Sequence, residues 1–212
     1  MARILITSGP TRQYIDPVRY ISNASSGKMG SCLARAAVNN GHEVVIVSGP
    51  VQLDYPEQAE LLQVVSTEDL LETCLEQFSR CDGLIGAAAP CDYRPVEVAD
   101  HKIRKTGETL DLKLEETEDV VARLGAMKNA DQWTVGFALE TEDARFRALS
   151  KLIRKSCDLV VLNGVSAIDS DENSIEIISR AGRIVAQEHG DKQKVAQTVI
   201  DTIESQLIRE TG

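Results

Sequence analysis

The stretch ARILITSGP (2–10) and the later stretch GHEVVIVSGP (41–50) decide the fold of this 212-residue chain. Each contains a short run of apolar and β-branched residues that ends at a Ser-Gly-Pro turn, which is the pattern of a buried strand. Between them, residues 29–39 carry apolar side chains at helical spacing and stop at Asn40-Gly41. A strand, a helix and a second strand in this order predict the first unit of a parallel sheet.

The rest of the chain repeats this alternation. Strands are predicted at 61–65, 83–88, 110–114, 134–139 and 159–162, and a terminal hairpin at 174–179 and 183–186. Helices are predicted after a cap at Thr67, from a cap at Thr117 to about Lys128, near 143–155, and from about Asp191. The pattern predicts a Rossmann-like three-layer α/β fold: a mostly parallel sheet flanked by helices, plus a C-terminal β-hairpin. Ligands of such sheets bind beyond the carboxyl ends of the strands, so the loops after Thr7, Ser48, Ala88 and Leu139 are the candidate site loops.

Composition and charge exclude several classes of protein. The net charge of −10 repels phosphates in bulk, so no nucleic-acid partner is expected. No apolar run approaches the ~20 residues of a membrane helix. Five cysteines without a Cys-x-x-Cys pair argue against a disulfide framework or a zinc site. The N-terminal apolar run is too short for a signal peptide. We therefore expect one domain over residues 1–212 in the cytoplasm.

An unusually long connection, residues 8–27, joins the first strand to the first helix. It brings hydroxyl residues, glycines and Lys28 to a helix N-terminus, where backbone N–H groups can bind an anion. A dinucleotide fingerprint would need glycine at Ser25, and a P-loop would need glycine at Ser22. Ser48, at the end of the second strand, stands where an acid would hold the ribose of NAD. We expect an anion site without dinucleotide chemistry; an ordinary helix-capping loop is the alternative.

Three other segments carry candidate chemistry. The stretch GAAAPCDY (86–93) places small residues after a buried strand, where a flat ring could approach the backbone, and its Asp92 could accept hydrogen bonds or hold a metal. The stretch HKIRKTG (101–107) is basic and suits a triphosphate. The helix at 143–155 gathers basic side chains on one face. A tight turn is the alternative for the first segment, and a solvated face is the alternative for the helix.

Together these segments resemble phosphopantothenoylcysteine synthetase, also called phosphopantothenate–cysteine ligase. The matches, in the family's order, are TSGPTRQYIDPVRYISNASSGKMG (7–30), SGP (48–50), AAAPCDYRP (87–95), KIRK (102–105), GFALET (136–141) and KLIRKSCDLVVLN (151–163). The resemblance implies a ligase of coenzyme A biosynthesis that joins 4′-phosphopantothenate to L-cysteine. It implies an acyl-cytidylate intermediate, formed from CTP with release of pyrophosphate, and it also implies Mg²⁺ and a homodimer. CTP is favoured over ATP by the bacterial-type motifs.

The resemblance also implies roles for individual residues. Lys102 matches the flap lysine that forms the activated intermediate, Asn23 matches the asparagine that converts it to the amide, and Arg19 accompanies Asn23. The implied substrate-binding residues are Arg19, Asn23, Ser25, Ser26, Gly27 and Lys28. The implied nucleotide-binding residues are Gly86, Ala87, Ala88, Asp92, Lys102, Glu118, Asp119, Val120, Val121, Phe137, Lys151 and Lys155. A flexible flap is expected at about 96–108, and no metal ligands are assigned.

The chain departs from the family pattern at three places. Pro90-Cys91 replaces Val-Ala, which predicts a stiffer loop; Glu118 replaces a proline; and Gly164 replaces an aspartate that could take part in magnesium binding. No flavin domain or His-rich decarboxylase site is recognisable, so ligation alone is expected, with a separate phosphopantothenoylcysteine decarboxylase acting downstream. The alternatives are a nicotinamide- or flavin-dependent oxidoreductase of Rossmann-like fold and a non-catalytic nucleotide-binding relative.

Overall fold

A computed structural model describes residues 1–139, 143–164 and 172–208. Its strands are β1 (Arg3–Ser8), β2 (Arg12–Asp16), β3 (Arg19–Ser22), β4 (Glu43–Ser48), β5 (Glu60–Gln63), β6 (Gly83–Gly86), β7 (Tyr93–Pro95), β8 (Leu114–Glu116), β9 (Trp133–Leu139), β10 (Leu159–Asn163), β11 (Glu172–Ser179) and β12 (Ile184–Asp191). Its helices are α1 (Lys28–Asn39), α2 (Thr67–Phe78), α3 (Val120–Met127), α4 (Ala144–Arg154) and α5 (Lys192–Gln206).

One central sheet takes its strands in the order β12-β11-β10-β9-β6-β1-β4-β5. The neighbouring strands are parallel in the pairs β5–β4, β4–β1, β1–β6, β6–β9 and β9–β10. They are antiparallel in the pairs β10–β11 and β11–β12. The chain runs outward from β1 through β4 to β5 and then returns to place β6 on the other side of β1. The predicted Rossmann-like α/β fold with a C-terminal hairpin is confirmed. The order reverses between β1 and β6, which is where ligands bind in such sheets.

Helices cover both faces of this sheet because its strands are apolar on both sides. Ile4 and Ile6 of β1 pack in the cluster that contains α1 and α5, and Leu5 packs in the cluster of α2 and α3. Helix α4 covers the α2 face further along, over Val160 and Leu162 of β10. Within the described residues, no helix has the length and apolar character needed to span a bilayer.

The cysteines behave as small apolar side chains. All five are free thiols, and only Cys32 is partly exposed. Burial raises the pKa of Cys74 to about 12 and that of Cys157 to about 11, so neither carries thiolate at neutral pH.

Several local predictions were wrong. The long connection 8–27 contains the β2–β3 hairpin, and the strand expected at 110–114 is instead β8. The α2 cap is Ser66, which exchanges hydrogen bonds with Asp69, and not Thr67. The α3 cap is Asp119, whose carboxylate accepts the Ala122 N–H, and not Thr117. In both helices the predicted cap lies within two residues of a better acceptor. The strand expected at 83–88 ends at Gly86, and the one expected at 61–65 covers residues 60–63.

The loops after β1 and β4 approach each other at Gly49. A Cβ at this position would lie 1.7 Å from the Pro10 carbonyl oxygen, a backbone atom that cannot rotate away. We expect Gly49→Ala to destabilise the protein by about 3 kcal/mol, at the upper end of the cost of overpacking. Thermal unfolding should then shift by about 6–12 °C for a domain of this size.

Gly41→Ala provides the matched control for this prediction. Gly41 has φ 84°, and no atom of the part of the chain that the structure describes lies within 4 Å of its Cβ position. Its replacement therefore tests left-handed strain alone, worth about 1–2 kcal/mol. A melting temperature of Gly49→Ala equal to that of Gly41→Ala would contradict the predicted steric clash.

Candidate active site

A cavity of about 120 Å³ lies at the carboxyl ends of β1, β6 and β9, beside the N-terminus of α3. Most of the residues predicted to bind a nucleotide line it. The lining residues are Thr7, Leu70, Gly86, Ala88, Pro90, Cys91, Asp92, Thr117, Glu118, Asp119, Val120, Val121, Gly136, Phe137 and Lys155. Four separate segments of the predicted set therefore meet at the point where the strand order reverses. Ala87, Lys102 and Lys151 of the predicted set are not among these lining residues.

Gly86 keeps the floor of the cavity open. A Cβ on Gly86 would lie 2.5 Å from Cγ2 of Val121, which belongs to the first turn of α3. Only glycine therefore lets α3 approach the end of β6 this closely. The segment 118–121 reaches the cavity through this approach.

The loop that carries Asp92 is held to the loop after β1. The Ala88 N–H donates to Thr7 Oγ1 at 3.2 Å, and the Ala89 N–H donates to the Gly9 carbonyl at 2.9 Å. Further along, the Cys91 N–H donates to Thr11 Oγ1 at 2.8 Å. These bonds fix the crevice between β1 and β6, and Asp92 is exposed at its rim.

Cys91 is buried below this loop and links it to three neighbouring elements. Its carbonyl accepts hydrogen bonds from Thr117 Oγ1 at 2.6 Å and Thr67 Oγ1 at 3.2 Å. Its thiol lies 3.4 Å from the carbonyls of both Thr11 and Ile21. The two thiol contacts are specific to cysteine, whereas the carbonyl bonds belong to the backbone. Sequence reasoning missed Thr7 and Thr117 as parts of the site. Thr7 precedes the Ser8-Gly9-Pro10 turn, which was an available signal, whereas Thr117 lies among acidic residues and carries no such signal.

Lys155 supplies positive charge at the cavity. Its Nζ lies 3.0 Å from Oδ2 of Asp119, and only about a fifth of its side chain is exposed (21%). The other oxygen of Asp119 accepts the Ala122 N–H at 3.1 Å. Asp119 thus positions the Lys155 ammonium and caps α3 at once. Arg154 is farther from Asp119, at 3.9 Å, and is mostly exposed.

Asn23 connects the loop before α1 to the loop that carries Asp92. Its Nδ2 donates to the Pro90 carbonyl at 2.8 Å and lies 3.4 Å from the Ala89 carbonyl. Asn23 itself is exposed, so a bound molecule can reach its amide. The structure brings this predicted catalytic residue to the rim of the cavity.

The N-terminus of α1 follows Asn23 and carries the predicted substrate-binding residues Ser25, Ser26, Gly27 and Lys28. Gly27 is the helix cap in a left-handed conformation (φ 74°), and no side chain among the described residues caps the helix. Ser8 Oγ donates to the Gly27 carbonyl at 3.2 Å, and a Cβ on Gly30 would lie 2.2 Å from Ser8 Oγ. Close packing on Ser8 therefore holds this helix end, with its positive dipole, beside the end of β1.

Arg19 and Lys102 are brought near each other by the segment after β7. The Arg19 guanidinium donates to the Ile103 carbonyl at 3.1 Å, and Lys102 is the residue before Ile103. The side chains of Lys102, Arg104 and Lys105 are exposed. The basic segment thus lies against the β2–β3 hairpin, which leads into Asn23, while Lys155 lies on the α3 side of the crevice. The lining beside Lys155 also carries the carboxylates of Asp92, Glu118 and Asp119, and the Lys155 ammonium is paired with Asp119.

Comparison with known proteins identifies the family. The family described as the DNA/pantothenate metabolism flavoprotein C-terminal domain matches residues 1–207. A Haemophilus influenzae relative, "Coenzyme A biosynthesis bifunctional protein CoaBC", is 40% identical over 182 residues, which is 84% of this chain and 46% of that protein. A protein of an unknown prokaryotic organism named "Cysteine/Cysteine sulfinic acid decarboxylase" is 42% identical over 206 residues, which is 95% of this chain and 57% of that protein. The chain spans about half the length of these curated relatives.

A solved structure agrees in fold. The crystal structure titled as the C-terminal domain of the coenzyme A biosynthesis bifunctional protein CoaBC superposes with a TM-score of 0.83 at 38% identity. The superposition covers 96% of this chain and 94% of that one. The chain belongs to the family of the DNA/pantothenate metabolism flavoprotein C-terminal domain.

Proposed function

We propose that this chain is a phosphopantothenate–cysteine ligase, which joins 4′-phosphopantothenate to L-cysteine in coenzyme A biosynthesis. We further propose that CTP activates the carboxylate as an acyl-cytidylate. The observation that carries the proposal is the cavity itself: residues matched separately to nucleotide contacts, from Gly86 through Phe137 to Lys155, line one space at the strand-order reversal. Asn23, matched to amide formation, lies at its rim.

The proposed reaction has two steps. A carboxylate oxygen of phosphopantothenate attacks the α-phosphorus of CTP, and pyrophosphate leaves. The cysteine amine then attacks the activated carbonyl, loses a proton, and CMP leaves. Both steps develop negative charge, so the protein accelerates them chiefly by aligning the anions and stabilising that charge. Lys155, held in place by Asp119, and the α1 N-terminus are the positive groups proposed to contact these anions on the two sides of the crevice.

The resemblance also implies Mg²⁺, and the donor groups present fit an ion that arrives on a triphosphate. Among the described residues, no three metal-ligating side chains lie together. Magnesium at triphosphate sites is commonly bound by one or two carboxylates plus phosphate oxygens. Asp92 and Glu118 are exposed carboxylates at the cavity and could supply them. The bound ion would neutralise phosphate charge there.

A homodimer, a cytoplasmic location and a separate decarboxylase downstream complete the proposal. Exposed apolar side chains support a second copy of the chain: Val18, Tyr20, Val98 and Leu110 each expose more than two fifths of their surface. They belong to the β2–β3 hairpin and the segment after β7. Sedimentation equilibrium would measure the oligomeric state, and a monomer at micromolar concentration would contradict this part.

The proposed function is tested by a nucleotide panel. The protein is incubated with phosphopantothenate, cysteine and Mg²⁺, together with CTP, ATP, GTP or UTP, and the products are identified by mass. We expect phosphopantothenoylcysteine, CMP and pyrophosphate with CTP, and pyrophosphate only when phosphopantothenate is present. Nucleotide binding without turnover would favour the non-catalytic relative. Release of carbon dioxide from cysteine without any triphosphate would favour the activity named for the second relative.

The oxidoreductase alternative is not favoured. Ser48, the last residue of β4, stands where a ribose-binding acid would be needed, and its hydroxyl bonds to the Gly49 carbonyl and to Tyr55. A change in nicotinamide or flavin absorbance on mixing with the protein would instead support an oxidoreductase.

Lys155→Ala should weaken nucleotide binding about 10- to 100-fold, which corresponds to losing a hydrogen bond to a charged group. Lys155 lines the cavity, whereas Lys151 does not, so Lys151→Ala should have a smaller effect. Isothermal titration with CTP measures both. Arg154→Ala is the control, since Arg154 belongs to the same basic face but is exposed. Equal affinities of the Lys155 and Arg154 variants would show that this helix is only a solvated basic face.

A further inference from the structure

Asp16, the last residue of β2, is a fully buried carboxylate with four hydrogen-bond donors around it. Its Oδ1 accepts the N–H groups of Val18 at 2.9 Å and Arg19 at 2.8 Å. Its Oδ2 accepts Arg19 Nη1 at 2.6 Å and the Ile103 N–H at 3.1 Å. Four donors on two oxygens use the acceptor capacity of a carboxylate fully. Hydrogen bonds from this many donors favour the charged form of the carboxylate.

Three of these four bonds lie within the hairpin, and the fourth, from the Ile103 N–H, reaches across 87 positions of sequence to the basic segment. Arg19 completes the link, because the same guanidinium nitrogen that donates to Asp16 also donates to the Ile103 carbonyl at 3.1 Å. Both main-chain polar groups of Ile103 are therefore held by the Asp16–Arg19 pair. Residue 103 is fixed in position while its neighbours Lys102 and Arg104 extend into solvent.

Few other contacts hold this segment against the hairpin. Within the described chain, Ile103 is the only residue of segment 100–105 whose backbone bonds to the hairpin; the nearest other bond is from the Ala99 N–H to the Ile15 carbonyl at 3.1 Å. The remaining side chains of this segment are exposed. The place of the segment relative to the hairpin thus depends chiefly on the Asp16–Arg19 pair, in which Asp16 holds both the Ile103 N–H and the Arg19 guanidinium.

We propose that Asp16 is a positioning residue that clasps the basic segment 102–105 onto the β2–β3 hairpin, so that Lys102 and Arg19 act on the same substrate. The role given to Lys102 rests on the proposed function. Asp16 itself touches no reacting atom, because its four bonds leave no free lone pair and its side chain is buried. Its effect on the reaction is exerted through Ile103 and Arg19.

The electrostatics agree with a clasp that stays closed at neutral pH. Burial by itself would raise the pKa of Asp16, but the N–H groups of Val18, Ile103 and Arg19 and the Arg19 charge outweigh it and hold the pKa below its ordinary value. Asp16→Asn keeps the size and shape of the side chain and replaces one acceptor oxygen by an N–H₂ donor. Whichever way the amide is turned, its donor faces either the turn N–H groups or the Ile103 N–H and Arg19.

Hydrogen exchange of the Ile103 amide tests the clasp directly. In Asp16→Asn we expect this amide to exchange about tenfold faster or more, since opening of the segment no longer breaks a bond to a carboxylate. Pyrophosphate release at saturating CTP should fall about tenfold or more through misplacement of Lys102. CTP affinity should stay within twofold, because neither Asp16 nor Ile103 lines the nucleotide cavity.

Asp69→Asn is the matched control for this variant. Asp69 also accepts backbone N–H groups, those of Ser66 at 2.9 Å and Val65 at 3.3 Å, but it lies at the start of α2 and has no contact with residue 103. Its replacement should change neither Ile103 exchange nor pyrophosphate release. Equal exchange at Ile103 in Asp16→Asn and wild type overturns the clasp. Faster exchange with undiminished pyrophosphate release overturns the positioning role.

A second pair of variants decides the matter if Asp16→Asn does not fold. Ile103→Pro removes the N–H that Asp16 accepts and leaves the hairpin intact, whereas Thr106→Pro makes the same change in the same exposed segment at a residue with no bond to the hairpin. Only Ile103→Pro should lower pyrophosphate release; equal effects of the two substitutions would overturn the proposal.

If wild type releases no pyrophosphate with any triphosphate, the proposed function fails. Ile103 exchange in Asp16→Asn then judges the clasp alone.

Discussion

Replacing Lys102 by glutamine should lower the rate of pyrophosphate release about 100-fold or more, which is the cost of removing one group that stabilises developing charge. Lys102 is exposed and precedes Ile103, whose backbone is fixed against Arg19. Under the proposed function, its ammonium approaches the phosphates of the nucleotide while Arg19 holds the other substrate. Glutamine retains most of the length but loses the charge. The measurement is single-turnover pyrophosphate release with saturating CTP and phosphopantothenate.

Lys105→Gln is the control for the Lys102 variant. Lys105 lies in the same exposed basic segment, three positions beyond Lys102. Its replacement by glutamine removes the same charge. We expect its pyrophosphate release to remain within about threefold of wild type, as for an exposed charge at that distance. Normal release by Lys102→Gln, or an equal loss in both variants, would remove the specific role of Lys102.

Asn23→Asp should slow amide formation far more than activation, so that the acyl-nucleotide accumulates. The Asn23 amide donates to the Pro90 carbonyl at 2.8 Å, and an aspartate would set a carboxylate against that oxygen. The second step would lose a donor and gain a negative charge where a tetrahedral oxyanion forms, a loss of about 100-fold or more. Labelled phosphopantothenate in a quenched-flow experiment would show the intermediate rising above its wild-type level.

Asn129→Asp separates this effect from the added charge alone. Asn129 accepts the N–H groups of Asp131 and Gln132 through Oδ1, a role that aspartate can also fill, and it lies outside the cavity lining. Its variant should show wild-type rates for both steps. If both steps slowed equally in Asn23→Asp, the residue would position the loop and would not act in amide formation.

The central architecture could be predicted from the sequence because the parallel strands are buried on both faces. Buried strands such as β1 and β4 appear as continuous apolar runs, and glycine or proline ends them sharply. The two small antiparallel ribbons were missed for the opposite reason. In β2–β3 the stabilising contacts are between polar or aromatic groups, such as Tyr14 against Tyr20 with ring centroids 5.4 Å apart and Arg12 over the Tyr20 ring. Such pairs leave no period in the hydrophobic pattern.

The candidate site also has a part that the sequence predicts and a part that it does not. Its motif residues could be placed beforehand because they follow strand ends, and the resemblance assigned their roles. The side chains that hold those motif residues could not be predicted, because each bonds to a residue that is distant in sequence. Thr117 bonds to Cys91, and Asp16 bonds to Ile103. A short polar side chain gives no sign of which distant backbone group it will meet. The predicted roles themselves remain predictions that the proposed variants test.

The C-terminal helix has a consequence for synthesis of the chain. Val195, Val199 and Ile203 of α5 are buried in the cluster that also holds Leu33 and Ala37 of α1. The apolar face of α1 is therefore covered by an element that is synthesised long after it. Although domains tend to fold from their N-terminus as they are made, a nascent chain that has not yet extended to α5 exposes the back of α1. That apolar surface would remain open to chaperones until α5 has been synthesised.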